Sequence, residues 1–135
     1  MKKAILPLLA AMAMTISCKS TKVTTDTLSA HDWTLISISG KTPNANERIK
    51  PTIKFTDSTM QGNGGCNSFN GGYTINEAGE FNAGRVVSTK MFCEGSNENE
   101  FFTALAKANK IKMDKNKLIF MHDEHELLVF APDKK

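Results

Sequence analysis

The sequence predicts a mainly β fold with some α content (α+β). The architecture expected is an antiparallel sheet or partly open β-barrel with one covering helix, about 97–109. Three observations carry that prediction. Short β-rich segments recur at close intervals between Gly, Asn, Asp and Pro turn signals. One stretch, near 97–109, places apolar residues at helical spacing. The centre of the chain, Gly62 to Tyr73, carries five glycines and three asparagines, a composition that favours sharp turns and close backbone approach over regular helix.

The 135 residues suit one domain of ordinary size. Residues 1–17 read as a signal peptide: Lys2 and Lys3 open it, and Ala4 to Met14 is apolar. That run is shorter than the roughly 20 residues a membrane-spanning helix needs. Its end, Thr15-Ile16-Ser17-Cys18, resembles a bacterial lipoprotein box, with Thr15 where leucine is usual. The resemblance implies that Cys18 is lipidated and starts the mature chain, which would place the protein at a membrane through its N-terminal lipid. The alternative is an ordinary cleaved leader with Cys18 incidental. Residues 18–27 then form the lipidated cysteine and a flexible polar tether, and 28–132 the domain. No acidic run follows Cys18, so the expected location is the cell envelope, as an outer-membrane lipoprotein facing the periplasm. Removing Lys2 and Lys3 from the 17 basic residues leaves 15 against 14 acidic ones, a balance of +1. With no basic stripe, nucleic acid is not an expected partner.

Taken in order, Trp33 to Ile38 is β-rich, with Trp33 and Leu35 on one face, and Gly40 to Asn46 is loop. Ile49 to Thr56 alternates at Ile53 and Phe55, and Pro51 marks an edge strand or a strand's first residues. Asp57-Ser58 turns the chain towards Met60 and the glycine stretch. Tyr73 to Ile75 leads to a turn at Asn76 to Gly79, then Glu80 to Asn82 and Val86-Val87. The helix comes next. Asn97 and Glu100 are spaced as a capping box, and Phe101, Phe102, Leu105 and Ala108 form its apolar stripe. Two hairpins close the chain: Ile111–Met113 with Lys117–Met121, then His125–Phe130.

The glycine stretch is first tested as a phosphate cradle. A P-loop needs Lys and a hydroxyl residue after its last glycine, then a helix. Here Gly65 leads to Cys66-Asn67, and Gly72 into the strand-like Tyr73-Thr74-Ile75. The pattern therefore reads as bulged or tightly turned strands, with Phe69 and Tyr73 as buried bulk. Cys66 and Cys93 form an even pair if Cys18 carries lipid. A bridge between them would contribute roughly 3–4 kcal/mol in the chain-entropy treatment; two buried free thiols are the other reading.

These residues together resemble the META domain, the HslJ-like family of bacterial envelope proteins. The match runs through Trp33-Thr34-Leu35, Ile53-Lys54-Phe55, Gly65-Cys66-Asn67 with Phe69, and Gly72-Tyr73. It continues through Ser88-Thr89-Lys90-Met91-Phe92-Cys93, Glu100 and Leu105. Phe92 stands where the family often has alanine, and Glu94 where proline is common. The motif positions Trp33, Gly65, Cys66, Asn67, Gly72, Tyr73, Thr89, Met91 and Cys93 are taken as structural. The resemblance implies a compact β-rich fold, often on a lipoprotein, with no settled enzymatic activity and so no catalytic residues or cofactor to carry over. Similar folds occur in lipoproteins that pilot secretion-system components, so an envelope or secretion-system protein is the expected kind of partner.

Three functional readings are open. A binding module would use an open barrel or sheet edge, with Phe69, Tyr73, Met91 and Phe92 lining a groove. A structural or stress-tolerance role in the envelope needs no discrete ligand. A thiol-dependent or metal-assisted periplasmic enzyme would need Cys66 or Cys93 held beside His31, His122 or His125, or ligands converging on the His122-Asp123-Glu124-His125 cluster. No local motif ties a histidine to a thiol, and neighbouring residues at a hairpin turn diverge, so no metal site is expected. The expectation is a non-catalytic binding or envelope-maintenance protein.

Overall fold

The computed structural model describes residues 22–44 and 49–133. The expected signal peptide, Cys18 and the first part of the tether lie outside the described residues. Within them, eight antiparallel strands form one curled sheet in the order β5-β4-β3-β2-β1-β8-β7-β6. The strands are β1 (Asp32–Ile38), β2 (Thr52–Phe55), β3 (Thr59–Asn63), β4 (Ser68–Ile75), β5 (Phe81–Ser88), β6 (Lys110–Asp114), β7 (Lys117–His122) and β8 (His125–Pro132). Two helices, α1 (Thr25–Ser29) and α2 (Glu98–Lys107), complete the fold. The expected class holds.

The chain keeps to nearest-neighbour hairpins between β2 and β5, and again between β6 and β8; β1 then joins the two groups by pairing with both β2 and β8. The terminal strands β5 and β6 meet at one corner. There Glu80 bridges Lys110, Phe81 N–H donates to Asn109 O at 2.9 Å and Ile111 N–H to Gly79 O at 2.8 Å. This makes a partly open barrel. Helix α2 connects those two edge strands and turns Phe101, Ala104 and Leu105 into the interior.

Aromatic rings fill that interior. Phe55 meets Tyr73 at 5.1 Å, Phe81 meets Phe120 at 5.2 Å, Phe120 meets Phe130 at 5.4 Å and Phe69 meets Phe101 at 5.6 Å between centroids. Edge-to-face and tilted pairs of this kind add to the stabilisation from burial itself. Side chains filling a small barrel make it a packed core, not a ligand-holding lumen. Trp33 is fully buried, and its indole N–H donates to Leu28 O at 2.8 Å, meeting the polar requirement that burying Trp brings.

Three expectations change. The tether ends sooner than residue 27: Val23 is buried, and Thr24 caps α1 by accepting from Thr27 N–H. Polar composition concealed the apolar anchor Val23, which joins the core together with Leu28, the expected first residue of the domain. The Asn97–Glu100 capping box does not form. Asn97 Oδ1 accepts from Asn44 N–H at 3.1 Å instead, and Glu98 N–H donates to Ser96 Oγ. Of the two readings of Pro51, the strand start holds and the edge does not: Pro51 immediately precedes β2, an interior strand, and its carbonyl accepts from Leu35 N–H at 2.9 Å.

Candidate functional site

The glycine stretch forms the end of β3, a tight turn and the start of β4. Gly62 opposes Ile53 in the ladder, and a Cβ there would lie 2.0 Å from Thr52 O. At Gly64 a Cβ would lie 2.9 Å from the Phe102 ring and 3.0 Å from Glu98 Oε1. Glycine at 64 is therefore what lets α2 come down onto the turn. Asn63 Oδ1 accepts from Gly65 N–H at 2.8 Å, and Gly64 N–H donates to Asn67 O at 2.9 Å, closing the turn on itself.

Asn67 is the hub of this junction. It is 3% exposed, the single buried polar residue among the described ones. Its Oδ1 accepts from Met91 N–H at 2.7 Å and from Thr89 Oγ1 at 2.8 Å; its Nδ2 donates to Met91 O at 3.0 Å and to Glu98 Oε2 at 2.7 Å. The amide orientation is forced, because Met91 N–H can only donate and Glu98 as a carboxylate can only accept. The Asn67 backbone N–H donates to Glu98 Oε1 at 2.6 Å. One side chain thus ties the β3–β4 turn, the segment after β5 and the first turn of α2. Every position of the amide is filled, as a buried polar group requires.

Cys66 and Cys93 are joined in a disulfide, with their Cα atoms 5.8 Å apart. The sulfurs are adjacent because Asn67 already holds Met91. Asn44 secures the far side of the segment, donating through Nδ2 to Gly95 O at 3.2 Å. Residues 89–97 are therefore pinned at several points along the backbone, yet Met91 is 61% and Phe92 91% exposed.

The motif residues divide accordingly. Trp33, Cys66, Asn67 and Tyr73 are buried, and Tyr73 donates its hydroxyl to Thr56 O at 2.7 Å. Burial, and then the nearby Asp57 charge, raise the Tyr73 phenol above its ordinary value of 10. The expected groove of Phe69, Tyr73, Met91 and Phe92 is not assembled. Phe69 and Tyr73 belong to the core, where Phe69 packs on Phe101 and Phe102, while Met91 and Phe92 point outward from the pinned segment.

Neither Cys66 nor Cys93 offers a thiol, so the Cys–His arrangement has no nucleophile in this state. His31 packs edge-on against Trp33, and His122 Nδ1 lies 2.9 Å from Lys107 O at the end of α2. Asp123, in the same hairpin turn, is bound by Asn109 in both directions, at 2.9 and 3.0 Å. Among the described residues no group of three or more His, Cys, Asp or Glu side chains is placed to hold a metal ion. A depression of about 680 Å³ lies between residues 38–44 and the outer face of α2, with Asn, Thr, Glu100 and Lys107 on its walls. Sequence reasoning gave no sign of it, because its two walls are far apart in the chain.

A model of the META domain matches residues 26–135. No curated protein sequence matches the chain. Solved structures share the fold. A protein from Burkholderia xenovorans, solved by NMR, is 20% identical with a TM-score of 0.69, covering 97% of this chain and 100% of that one. A second NMR structure is 25% identical with a TM-score of 0.64, covering 79% and 93%. A crystal structure of a DUF4847 family protein from Bacteroides vulgatus is 20% identical with a TM-score of 0.57, covering 80% and 96%.

Proposed function

This chain belongs to the META domain family, and on that premise we propose that it is a non-catalytic lipoprotein of the cell envelope that binds a protein partner there. Cys18 carries the lipid, residues 19–22 link it to the domain, and the domain faces the periplasm from the outer membrane.

The observation that carries this reading is the Cys66–Cys93 disulfide. A bridge between two cysteines fits export to an oxidising compartment, which is where a leader such as residues 1–17 would send the chain. The same bridge occupies both sulfurs that a thiol enzyme would need. The polar side chains that dominate the motif support the reading in a second way: Asn67, Thr89 and Glu98 bind one another and the backbone, not an open site.

The test is made in cells on the full chain. Wild-type protein should take up labelled fatty acid, fractionate with the outer membrane and show no free thiol under non-reducing denaturation. The Cys18→Ala variant should lose the label and the membrane fraction while keeping the bridge. A soluble wild-type protein, or two reactive thiols in it, would refute the proposal.

A further inference from the structure

We infer that the β5 edge near Val87, with Met91 and Phe92, docks an extended, apolar, acid-bearing segment of another envelope protein, at the end of the barrel facing away from the lipid. The inference rests on the anchored, non-catalytic reading above and adds the place and chemistry of the contact.

The edge is open. β5 ends the sheet order, β4 is its one ladder partner among the described strands, and its corner contact with the β6 end stops at Phe81. Among the described residues, no strand pairs with its outer side from Asn82 to Ser88. An unpaired edge of this kind offers main-chain donors and acceptors to an added strand. Val87, 48% exposed, lies on it, and Met91 and Phe92 extend the apolar surface a few residues on. The backbone under Met91 and Phe92 is already fixed by Asn67, the disulfide and Asn44. Holding an exposed aromatic on an ordered segment removes much of the ordering cost of binding, and aromatic anchors supply a large share of interface energy.

Position decides the class of partner. Ser68 and Asn67 hold the Thr89–Met91 segment, at the beginning of β4. Lys22 pairs with Glu77 at 2.8 Å, just past the end of β4. The eight residues of β4 separate these points by about 23 Å. Five chain steps separate Cys18 from the buried Val23, a reach of at most about 18 Å. The lipid therefore holds the Glu77 end near the bilayer and turns Phe92 away from it, towards proteins.

Charge narrows the partner further. Arg85 and Lys90 are exposed, and neither has an ion-pair partner among the described residues; the exposed Glu94 comes two residues after Phe92 in the chain. The strand side of the patch is thus positive and favours carboxylates. A second copy added through the same edge would bring Arg85 towards its own counterpart, which disfavours self-pairing.

The experiment is in-cell photocrosslinking of the full chain with a benzophenone amino acid at position 92, or at 77 as the opposite-end control. The expected result is a protein adduct at 92, at least about five-fold above that at 77. Mass spectrometry of the crosslinked peptide should show an apolar segment of another polypeptide with at least one carboxylate. Val87→Asp, and independently Lys90→Glu, should each reduce the adduct about five-fold while the disulfide still forms. Adducts to lipid, to a second copy of this chain, or in equal yield at 77 and 92 would overturn the inference. Fractionation of the same cells reports the anchor separately. A soluble protein with the expected adduct at 92 refutes the anchor, and an anchored one without it refutes this surface.

Discussion

Asn67 and Phe92 belong to the same junction of the fold and meet opposite environments. Asn67 is buried and makes four side-chain hydrogen bonds, while Phe92, one residue beyond the backbone that Asn67 holds, is almost wholly in solvent. A polar residue inside and an aromatic outside invert the usual distribution. The inversion has a physical reason on one side only. Asn67 replaces water with four matched partners, so its burial carries little penalty. Nothing among the described residues covers Phe92. Side-chain chemistry at this junction therefore separates what holds the fold from what stays in solvent.

The largest effect expected comes from breaking the buried half. Asn67→Ala would leave the Glu98 carboxylate, the Met91 peptide groups and the Thr89 hydroxyl short of partners, and should cost about 3 to 5 kcal/mol in urea unfolding. Cys66→Ala removes the cross-link and should cost about 3 to 4 kcal/mol by loss of the loop constraint on the unfolded chain, read in the same titration. The double variant should lose less than the sum of the two, since both act on the segment between Thr89 and Cys93.

Tyr73→Phe sharpens the comparison at a smaller scale, because it removes one hydrogen bond from a ring that stays buried. A cost of about 1 kcal/mol is expected at neutral pH. The phenol is raised in the folded state, so its contribution is intact below pH 10 and is lost as pH rises through the folded value. Wild-type stability should accordingly fall above pH 10 more steeply than that of the variant. Phe92→Ala is the smallest, within about 0.5 kcal/mol, as for exposed positions generally.

How much of this the sequence revealed depends on the range of the interaction. Alternation at Ile53 and Phe55, the apolar stripe of Phe101 and Leu105, and the turn signals near Asn116 are local, and they pointed to the fold class. Lys115 and Asn116 do adopt the positive φ of a tight hairpin. The Asn97 capping box was a local signal that tertiary contact overrode, since Asn44 takes the Asn97 oxygen. The four-residue groove failed for a related reason. Phe69, Tyr73, Met91 and Phe92 are equally apolar by type, and only the register of β4 and the Asn67 clamp decide which pair faces in. Asn67 itself was legible as a motif residue, but its partners lie more than twenty residues away in the chain. No spacing rule could pair them.

The most direct measurement is the unfolding free energy of Asn67→Ala beside that of Phe92→Ala, each against wild type in one buffer. The expected result is a loss of about 3 kcal/mol or more for the first and no more than about 0.5 kcal/mol for the second. Comparable losses in both, or a stable Asn67→Ala protein, would contradict the division between a closed polar clamp and an exposed apolar segment.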